Sequence, residues 1–236
     1  MNNGQLFLIP TTLGENEPLE VLPISVKRTI EQLSHFIVEN EKTARRFIKK
    51  ITPSKAQNSL VLYPLNKFTK DEELQTYLDI VETGKSIGLI SEAGLPAIAD
   101  PGAVIVKMAH EKNIKVTPLV GPSSILMALM SSGMNGQNFA FNGYLPIETK
   151  ERKKAIKHYE QLSANNNQAQ IFIETPYRNE KLFAEMTNSL HKNTNLCIAI
   201  DISLSTEWIK TKTVAQWKKT TVALHKRPAI FIIEKS

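Results

Sequence analysis

Short apolar runs alternate with amphipathic stretches through the first half of this 236-residue chain. Runs with the length of a buried strand lie at 5–9, 36–38, 59–63, 86–90 and 115–120. Apolar residues at helical spacing occupy 25–34, 41–51, 71–83 and 103–112. Because strands that alternate with helices form parallel sheets covered on both faces, we expect a mostly parallel sheet here.

The pattern changes after residue 122. An apolar helix is predicted at 123–132, and strand-like runs follow it at 139–141, 169–173, 196–201, 206–209 and 229–233. Fewer helical patterns separate these runs, which is typical of an α+β domain with a mixed sheet. The fold class is therefore predicted as α/β with two domains, residues 1–118 and 119–236, hinged near 118–122.

Cysteine and histidine usage argues against a metal centre. Cys197 is the single cysteine, so neither an intrachain disulfide nor a thiolate cluster within one chain is expected. The five histidines are scattered without metal-ligand spacing. We therefore expect no catalytic metal.

Charge and hydropathy bear on location and partners. No apolar run approaches the roughly 18 residues that cross a bilayer, and residues 1–5 lack the basic start of a secretory signal, so we expect a cytoplasmic protein without a membrane partner. The formal net charge of +6 favours an anionic partner. Nucleic acid is the partner that this charge suggests.

Glycine and proline are concentrated in one loop that follows a predicted strand, at residues 88–102. The chain contains neither G-x-G-x-x-G nor a P-loop pattern, so a standard phosphate cradle is not expected. Ligands of open α/β sheets bind where parallel strands end, and glycine permits close backbone approach there. S-adenosyl-L-methionine (SAM) suits such a loop because it has no phosphate, although a tight loop without a ligand is an equally open interpretation.

Several motifs occur in a recognisable order. They are Ser-Glu-Ala-Gly-Leu-Pro with Asp-Pro-Gly at 91–102, Val-Gly-Pro-Ser-Ser-Ile at 120–125, Phe-Ala-Phe-Asn-Gly-Tyr-Leu-Pro at 139–146, Phe-Ile-Glu-Thr-Pro-Tyr-Arg at 172–178 and Arg-Pro-Ala-Ile at 227–230. Together they resemble the small-subunit ribosomal RNA ribose-2′-O methyltransferases of the tetrapyrrole methylase superfamily, which are class III SAM-dependent enzymes. The resemblance covers nearly the whole chain.

The resemblance implies a tetrapyrrole-methylase-like fold of two α/β domains, with SAM in the cleft between them and usually a homodimer. It also implies which residues bind the cofactor: Gly94, Leu95, Pro96 and Ile98 in the Gly-rich loop, Ser123 and Ser124 after the hinge, and Phe172 and Ala229 from the second domain. Ile98, Phe172 and Ala229 could equally be plain core residues.

Two segments depart from the family. The first loop normally has the sequence Pro-Thr-Pro-Ile-Gly-Asn, whereas residues 10–15 are Pro-Thr-Thr-Leu-Gly-Glu. A second segment, normally Glu-Asp-Thr-Arg-His-Thr, is Glu-Asn-Glu-Lys-Thr-Ala at residues 39–44. The RNA-modifying members also carry a small C-terminal domain, which we expect this chain, ending at Ser236, to lack. Because of these differences, methyl transfer from SAM is better supported than the identity of the methyl acceptor.

Methyl transfer to a ribose hydroxyl mainly requires alignment of donor and acceptor and a group that removes the proton. Glu39 is the first candidate base and Glu41 the second, with Lys42 as a further catalytic candidate. Thr11, Arg45 and Arg46 are candidate substrate-binding residues, since Lys42 or Arg45 could orient a phosphate. Glu174 is another carboxylate of the expected cleft, for which a structural role is at least as well supported.

Two basic stripes could contact an RNA. Lys42, Arg45, Arg46 and Lys49 share one helical face by their spacing, and Lys150, Lys153, Lys154 and Lys157 repeat that spacing. A charged stripe opposite an apolar one is also what a solvated helix face looks like.

Three functions follow from these observations. The first is an rRNA methyltransferase that modifies a ribose 2′ oxygen. The second is a SAM-dependent methylase of a tetrapyrrole or another small molecule, and the third is a SAM-binding dimeric protein without turnover.

Overall fold

The computed structural model describes residues 4–235. Residues 1–3, on which the expected absence of a signal sequence partly rests, and Ser236, which ends the second predicted domain, lie outside the described residues. The chain divides into two compact units, Met1–Ser123 and Ser124–Ser236. The predicted domain boundary at 118 falls in the segment that joins the last strand of unit 1 to the first helix of unit 2, and it stays a prediction.

Unit 1 is built on a five-stranded parallel sheet in the order β3-β2-β4-β1-β5. Its strands are β1 (Gln5–Ile9), β2 (His35–Val38), β3 (Val61–Pro64), β4 (Ile87–Ile90) and β5 (Lys115–Pro118). Its helices are α1 (Pro18–Val21), α2 (Ile24–Gln32), α3 (Glu41–Ile51), α4 (Asp71–Leu74), α5 (Asp79–Glu82) and α6 (Ala103–Glu111), with a 3₁₀ turn at Gln57–Ser59. The predicted parallel sheet is confirmed.

Helices cover both faces of this sheet because its strands are apolar on both sides. Ile37 packs with residues of α4, α5 and α6, whereas its neighbours Phe36 and Val38 pack with residues of α2 and α3. The single helix predicted at 71–83 is wrong, since α4 and α5 are separate short helices. The amides of residues 76, 77 and 79 each donate to the carbonyl three residues earlier. These bonds form tight turns between α4 and α5 in place of a continuous α-helix.

Unit 2 contains a five-stranded mixed sheet in the order β6-β7-β10-β8-β9. Its strands are β6 (Phe139–Tyr144), β7 (Ala169–Ile173), β8 (Asn195–Ile200), β9 (Trp208–Thr213) and β10 (Ala229–Glu234). Its helices are α7 (Ser124–Ser132), α8 (Thr149–Asn166), α9 (Asn179–Ser189) and α10 (Val214–Trp217), with a 3₁₀ turn at Pro176–Arg178. β6 and β7 are parallel and the other pairs are antiparallel, so the predicted mixed sheet is confirmed.

Helix α9 was not predicted, and unit 2 is therefore richer in helix than its sequence pattern suggested. Leu182 and Met186 lie one turn apart on its buried face, and Phe183 packs beside them. That spacing was available as a signal, but the segment contains enough polar residues to resemble a loop. The strand predicted from 206 starts only at Trp208, because a turn closes with the amide of Glu207 donating to the carbonyl of Leu204.

Among residues 4–235, no helix combines the length and the apolar character needed to cross a membrane.

Candidate functional site

The topology of unit 1 identifies one crevice at the carboxyl edge of its sheet. β2 and β4 are neighbours, but the chain leaves β2 toward β3 on one side and leaves β4 toward β5 on the other. Connections that diverge in this way leave an opening above the strands, where open parallel sheets bind ligands. Glu39 directly follows β2, and Ser91 and Glu92 directly follow β4.

The loops after β1 and β4 are hydrogen-bonded to each other beside this crevice. The amide of Thr11 donates to the carbonyl of Gly94 at 3.0 Å. The hydroxyl of Ser91 donates to the same carbonyl at 2.5 Å and lies 3.3 Å from the hydroxyl of Thr11. Thr11 and Ser91 are both buried, so these bonds fix the Gly-rich loop against the first strand.

The Gly-rich loop has an unusual backbone. Ala97 and Ala99 adopt positive φ angles of 64° and 56°, as Gly94 does at 73°. The left-handed conformation costs an alanine about 1–2 kcal/mol, and such strain concentrates at ligand sites. A carboxylate oxygen of Asp100 accepts from the amide of Gly102 at 2.9 Å, which stabilises the end of the loop. The loop is thus more elaborate than a tight strand-to-helix turn.

The predicted cofactor residues of unit 1 differ in exposure. Gly94 and Pro96 are buried and Leu95 is partly buried, whereas the side chain of Ile98 is 50% exposed. Ile98 is therefore not a core residue, and it presents an apolar surface to solvent. Ser123, the last residue of unit 1, is partly buried. Their cofactor roles stay predictions.

A cavity of about 180 Å³ opens between the loop after β1, the helix α3 and the end of β4. It is lined by Thr11, Thr12, Gly14, Glu15, Asn16, Pro18, Thr43, Ala44, Arg46, Phe47, Lys50, Ile90, Ser91 and Glu92. Two of the predicted substrate-binding residues, Thr11 and Arg46, are among them. Thr43, Lys50 and Glu92 were not predicted, although Thr43, Phe47 and Lys50 repeat at one-turn spacing on the face of α3 next to the basic stripe.

Carboxylates gather at the crevice. Glu39 has its pKa raised above the ordinary glutamate value, first because partial burial disfavours its charged form and then because Glu92 and Asp100 repel a further negative charge. The hydroxyl of Thr43 donates to Glu92 at 2.7 Å and holds that carboxylate in place. A carboxylate with a raised pKa is a stronger proton acceptor than an ordinary one.

The N-terminus of α3 explains one departure from the family pattern. Asn40 caps the helix, since its side-chain oxygen accepts from the amides of Lys42 at 2.9 Å and Thr43 at 3.3 Å. Asn and Asp are comparable caps, so the asparagine preserves the helix start without adding a charge. Glu39 is thereby held immediately before a fixed helix terminus.

The other predicted catalytic residues and Arg45 have different surroundings. A guanidinium nitrogen of Arg45 donates to the carbonyl of Gln57 at 2.8 Å, and another lies 3.7 Å from the carboxylate of Glu41. Neither Arg45 nor Glu41 lines the cavity, and the exposed Glu39 and Lys42 do not line it either. The roles of Glu41, Lys42 and Arg45 stay predictions.

In unit 2 the predicted cofactor residues are part of well-packed elements. Phe172 in β7 is fully buried and meets the ring of Tyr159 edge-on at 5.1 Å, and Ala229 at the start of β10 is 7% exposed. Both belong to the main core cluster of the unit. Ser124 is the first residue of α7 and is partly buried. Their cofactor roles stay predictions.

Glu174 has the structural contacts expected of a buried carboxylate. It accepts from the guanidinium of Arg178 at 2.7 Å and from the amide of Thr175 at 2.6 Å. Across the described part of the chain, no group of three or more His, Cys, Asp or Glu residues is arranged to hold a metal ion.

Comparison with known proteins gives relatives along the whole chain. No family model matches. A protein named ribosomal RNA small subunit methyltransferase I from Buchnera aphidicola is 27% identical over 233 residues, which span 98% of this chain and 78% of that protein. The protein of the same name from Escherichia coli O157:H7 is 24% identical, over 99% of this chain and 78% of its own length. One from Bacillus subtilis is 30% identical over 79% of this chain and 60% of its own length.

Solved structures share the fold at low sequence identity. Diphthine synthase matches with a TM-score of 0.67 and 13% identity, over 98% of this chain and 89% of its own. The methyltransferase CobJ matches with a TM-score of 0.65 and 12% identity, over 99% and 95% of the two chains. Uroporphyrin-III C-methyltransferase from Thermus thermophilus, complexed with S-adenyl homocysteine, matches with a TM-score of 0.58 and 13% identity, over 98% of each chain. The chain therefore has the fold of these methyltransferase structures, and along nearly its whole length it is similar in sequence to proteins named ribosomal RNA small subunit methyltransferase I.

Proposed function

We propose that this protein is a SAM-dependent methyltransferase that acts on ribosomal RNA and modifies a ribose 2′ oxygen. The observation that carries the proposal is its sequence relationship, over 98% of its length, to proteins named ribosomal RNA small subunit methyltransferase I. The carboxylates at the crevice of unit 1 supply the chemistry that such a reaction needs.

The Gly-rich loop fits the cofactor. Its strained backbone turns successive peptide groups in different directions, and Ile98 offers an apolar surface for an adenosine. Gly94, Leu95, Pro96 and Ile98 would hold SAM from unit 1, and Ser123, Ser124, Phe172 and Ala229 are the further candidates. When bound, SAM supplies a methyl group on a positively charged sulfur, which the nearby carboxylates favour electrostatically.

Glu39 is the proton acceptor in this proposal. A ribose hydroxyl attacks well only while its proton is being removed, and a carboxylate with a raised pKa removes it more readily. Glu92 acts through Glu39, because its negative charge raises the Glu39 pKa. Thr11 and Arg46 line the cavity, where the exposed guanidinium of Arg46 would exchange its weak ion pair with Glu15 for a phosphate.

The test is methyl transfer from labelled SAM to small-subunit rRNA isolated from a strain that lacks this gene. We expect incorporation that survives alkaline hydrolysis as a dinucleotide, because a 2′-O-methyl group blocks cleavage of its own linkage. The Glu39→Gln variant should bind SAM but transfer methyl groups at least 100-fold more slowly.

Other outcomes would replace the proposal. Methylation of a uroporphyrin-type substrate without any incorporation into RNA would make the protein a small-molecule methylase. SAM binding in calorimetry without product from either substrate, and no effect of Glu39→Gln, would make it a non-catalytic binding protein.

A cytoplasmic location and a homodimeric state complete the proposal. A protein that modifies ribosomal RNA works where ribosomes are assembled. Light scattering coupled to gel filtration would test the dimer, and a mass of one chain at micromolar concentration would contradict it.

A further inference from the structure

Helix α8 forms one wall of a basic groove on unit 2. The groove has a volume of about 410 Å³ and is lined by Lys150, Lys153, Lys154, Lys157, Asn188 and Ser189. All four lysines are exposed, and the polar side chains of Asn188 and Ser189 at the end of α9 form the opposite wall. This concave lysine surface, called the α8 groove below, lies outside the crevice of unit 1.

Three of the four ammonium groups in the α8 groove have no carboxylate partner. Lys154 lies 3.0 Å from Glu151, whereas no described carboxylate lies within 4.0 Å of Lys150, Lys153 or Lys157. An unpaired cluster of like charges repels itself and is stabilised by any anion that enters it.

The basic stripe of α3 is different. Arg46 lies 3.5 Å from Glu15, Arg45 lies 3.7 Å from Glu41, and Lys50 on the adjacent face lies 3.2 Å from Glu17. Much of the positive charge of α3 is therefore already balanced within unit 1. The α8 groove is therefore the better candidate for an extended anionic partner.

The α8 groove is also held rigidly. Arg152, between the lysines, is buried and pairs with Glu185 of α9, one nitrogen donating to a carboxylate oxygen at 2.9 Å. A second guanidinium nitrogen of Arg152 also donates to Glu185, and the third donates to the carbonyls of Pro146 and Ile147 at 3.0 and 2.7 Å. The walls are thus fixed before any ligand binds, which lowers the entropic penalty of binding.

We propose that the α8 groove binds the phosphodiester backbone of the RNA substrate. The inference rests on the proposed function for the identity of the anion. Lys150 and Lys157 are seven residues apart, so the lysine row extends about 10 Å along the helix, longer than a single phosphate. Lysines act on phosphates as point charges, and the groove contains no aromatic side chain on which a base could stack. The α8 groove therefore positions the RNA and does not read its sequence.

The decisive variant is Lys150→Gln/Lys153→Gln/Lys157→Gln in the full chain. Glutamine keeps helix propensity and removes three charges that form no ion pair among the described residues. For methylation of small-subunit rRNA, we expect the KM to rise about tenfold at 50 mM salt with kcat unchanged. The slope of log affinity against log salt should become shallower by about 2, since each phosphate contact on a single strand contributes about 0.7.

Two further variants make the result specific. Lys210→Gln/Lys218→Gln/Lys219→Gln removes three exposed lysines elsewhere in unit 2 and should leave the KM and the salt slope unchanged. Lys150→Arg/Lys153→Arg/Lys157→Arg keeps the charge and should restore the wild-type salt slope. Equal effects of the two glutamine triples would overturn the proposal, because only net charge would then matter.

Direct binding to labelled rRNA separates this inference from the proposed function. RNA binding that depends on the three lysines, without any methyl transfer, would reject the proposed function and keep the α8 groove as an RNA surface. Methyl transfer by the wild-type protein with an unchanged KM in the lysine triple would reject the α8 groove alone. Lysine-dependent binding to vesicles of anionic lipid, with RNA binding unaffected, would assign the groove to a membrane surface and overturn the proposal.

Discussion

At the scale of single residues, the chemistry of unit 1 depends on neighbours that are distant in sequence. Glu39, Glu92 and Asp100 come from the ends of two adjacent strands and the loop that follows one of them, and their mutual repulsion contributes to the raised pKa of Glu39. Glu39 was chosen from the sequence as the first candidate base. Glu92 could not be ranked, because nothing local shows which carboxylates face each other.

The pH dependence of methyl transfer tests this arrangement. A base works in its deprotonated form, so activity should fall as the pH falls through the pKa of Glu39, at a higher pH than an ordinary glutamate would give. Glu92→Gln removes one repelling charge, lowers the Glu39 pKa and should move this acid limb of kcat/KM to lower pH. The exposed Glu72 on α4 provides the control, since Glu72→Gln should leave the profile where it was. An acid limb that does not move in Glu92→Gln would remove Glu92 from the site.

At the scale of elements, helices are positioned by buried polar contacts as well as by apolar faces. α8 presents Ile156 to the core of unit 2, but it also buries Arg152 and pairs it with Glu185 of the unpredicted α9. Hydropathy treats an arginine as a surface residue. Its burial here followed only from the approach of a second helix with a carboxylate at the matching position.

Breaking this ion pair from one side should destabilise unit 2. The side chains of Arg152 and Glu185 are 3% and 11% exposed, so Glu185→Leu would leave a buried charge without a partner and lower the free energy of unfolding by about 3–5 kcal/mol. Urea unfolding followed by tryptophan fluorescence suits the measurement, because Trp208 and Trp217 both lie in unit 2.

The matched double variant Arg152→Met/Glu185→Leu should recover most of the lost stability, since it removes both charges. A loss in Glu185→Leu of less than about 1 kcal/mol would show that Arg152 reaches water when its partner is removed.

At the scale of the whole molecule, each unit has its own sheet and its own core. In unit 2, Cys197 lies in β8 between β9 and β10 and is completely buried, and this burial raises the pKa of its thiol. It is the only cysteine of the chain, which makes its reactivity a reporter of the opening of this sheet. A thiol buried among apolar residues is inert until the structure opens.

Thiol labelling tests the integrity of this sheet. In native buffer Cys197 should not react with an aromatic disulfide reagent on the time scale of minutes, whereas in denaturant one equivalent should react at once. The residual native rate should rise in Glu185→Leu in proportion to its lost stability. Fast labelling of the native wild-type protein would mean that β8 is not the protected strand described here.

The sequence predicted much of the fold because its signals are local. Apolar runs identified the strands of both sheets, and the order of the motifs indicated the relatives to which the chain is similar along its length. The wrong predictions of helices were also local in origin. The segment 71–83 has a helical period, but its middle forms tight turns around the buried Tyr77. The helix α9 contains too many polar residues to be recognised as a helix from its apolar pattern.

The sequence by itself determined the fold class and the Gly-rich loop that follows β4, since both depend on residue types in a fixed order along one chain. Only the tertiary structure decided which charges are paired. It paired Arg46 and Lys50 of α3 with Glu15 and Glu17 of the loop after β1, and it gathered Glu39, Glu92 and Asp100 at one crevice. It left three lysines of α8 without an ion pair among the described residues. Electrostatic interaction depends on distance in space, and residues far apart in sequence become neighbours only when the sheet has formed.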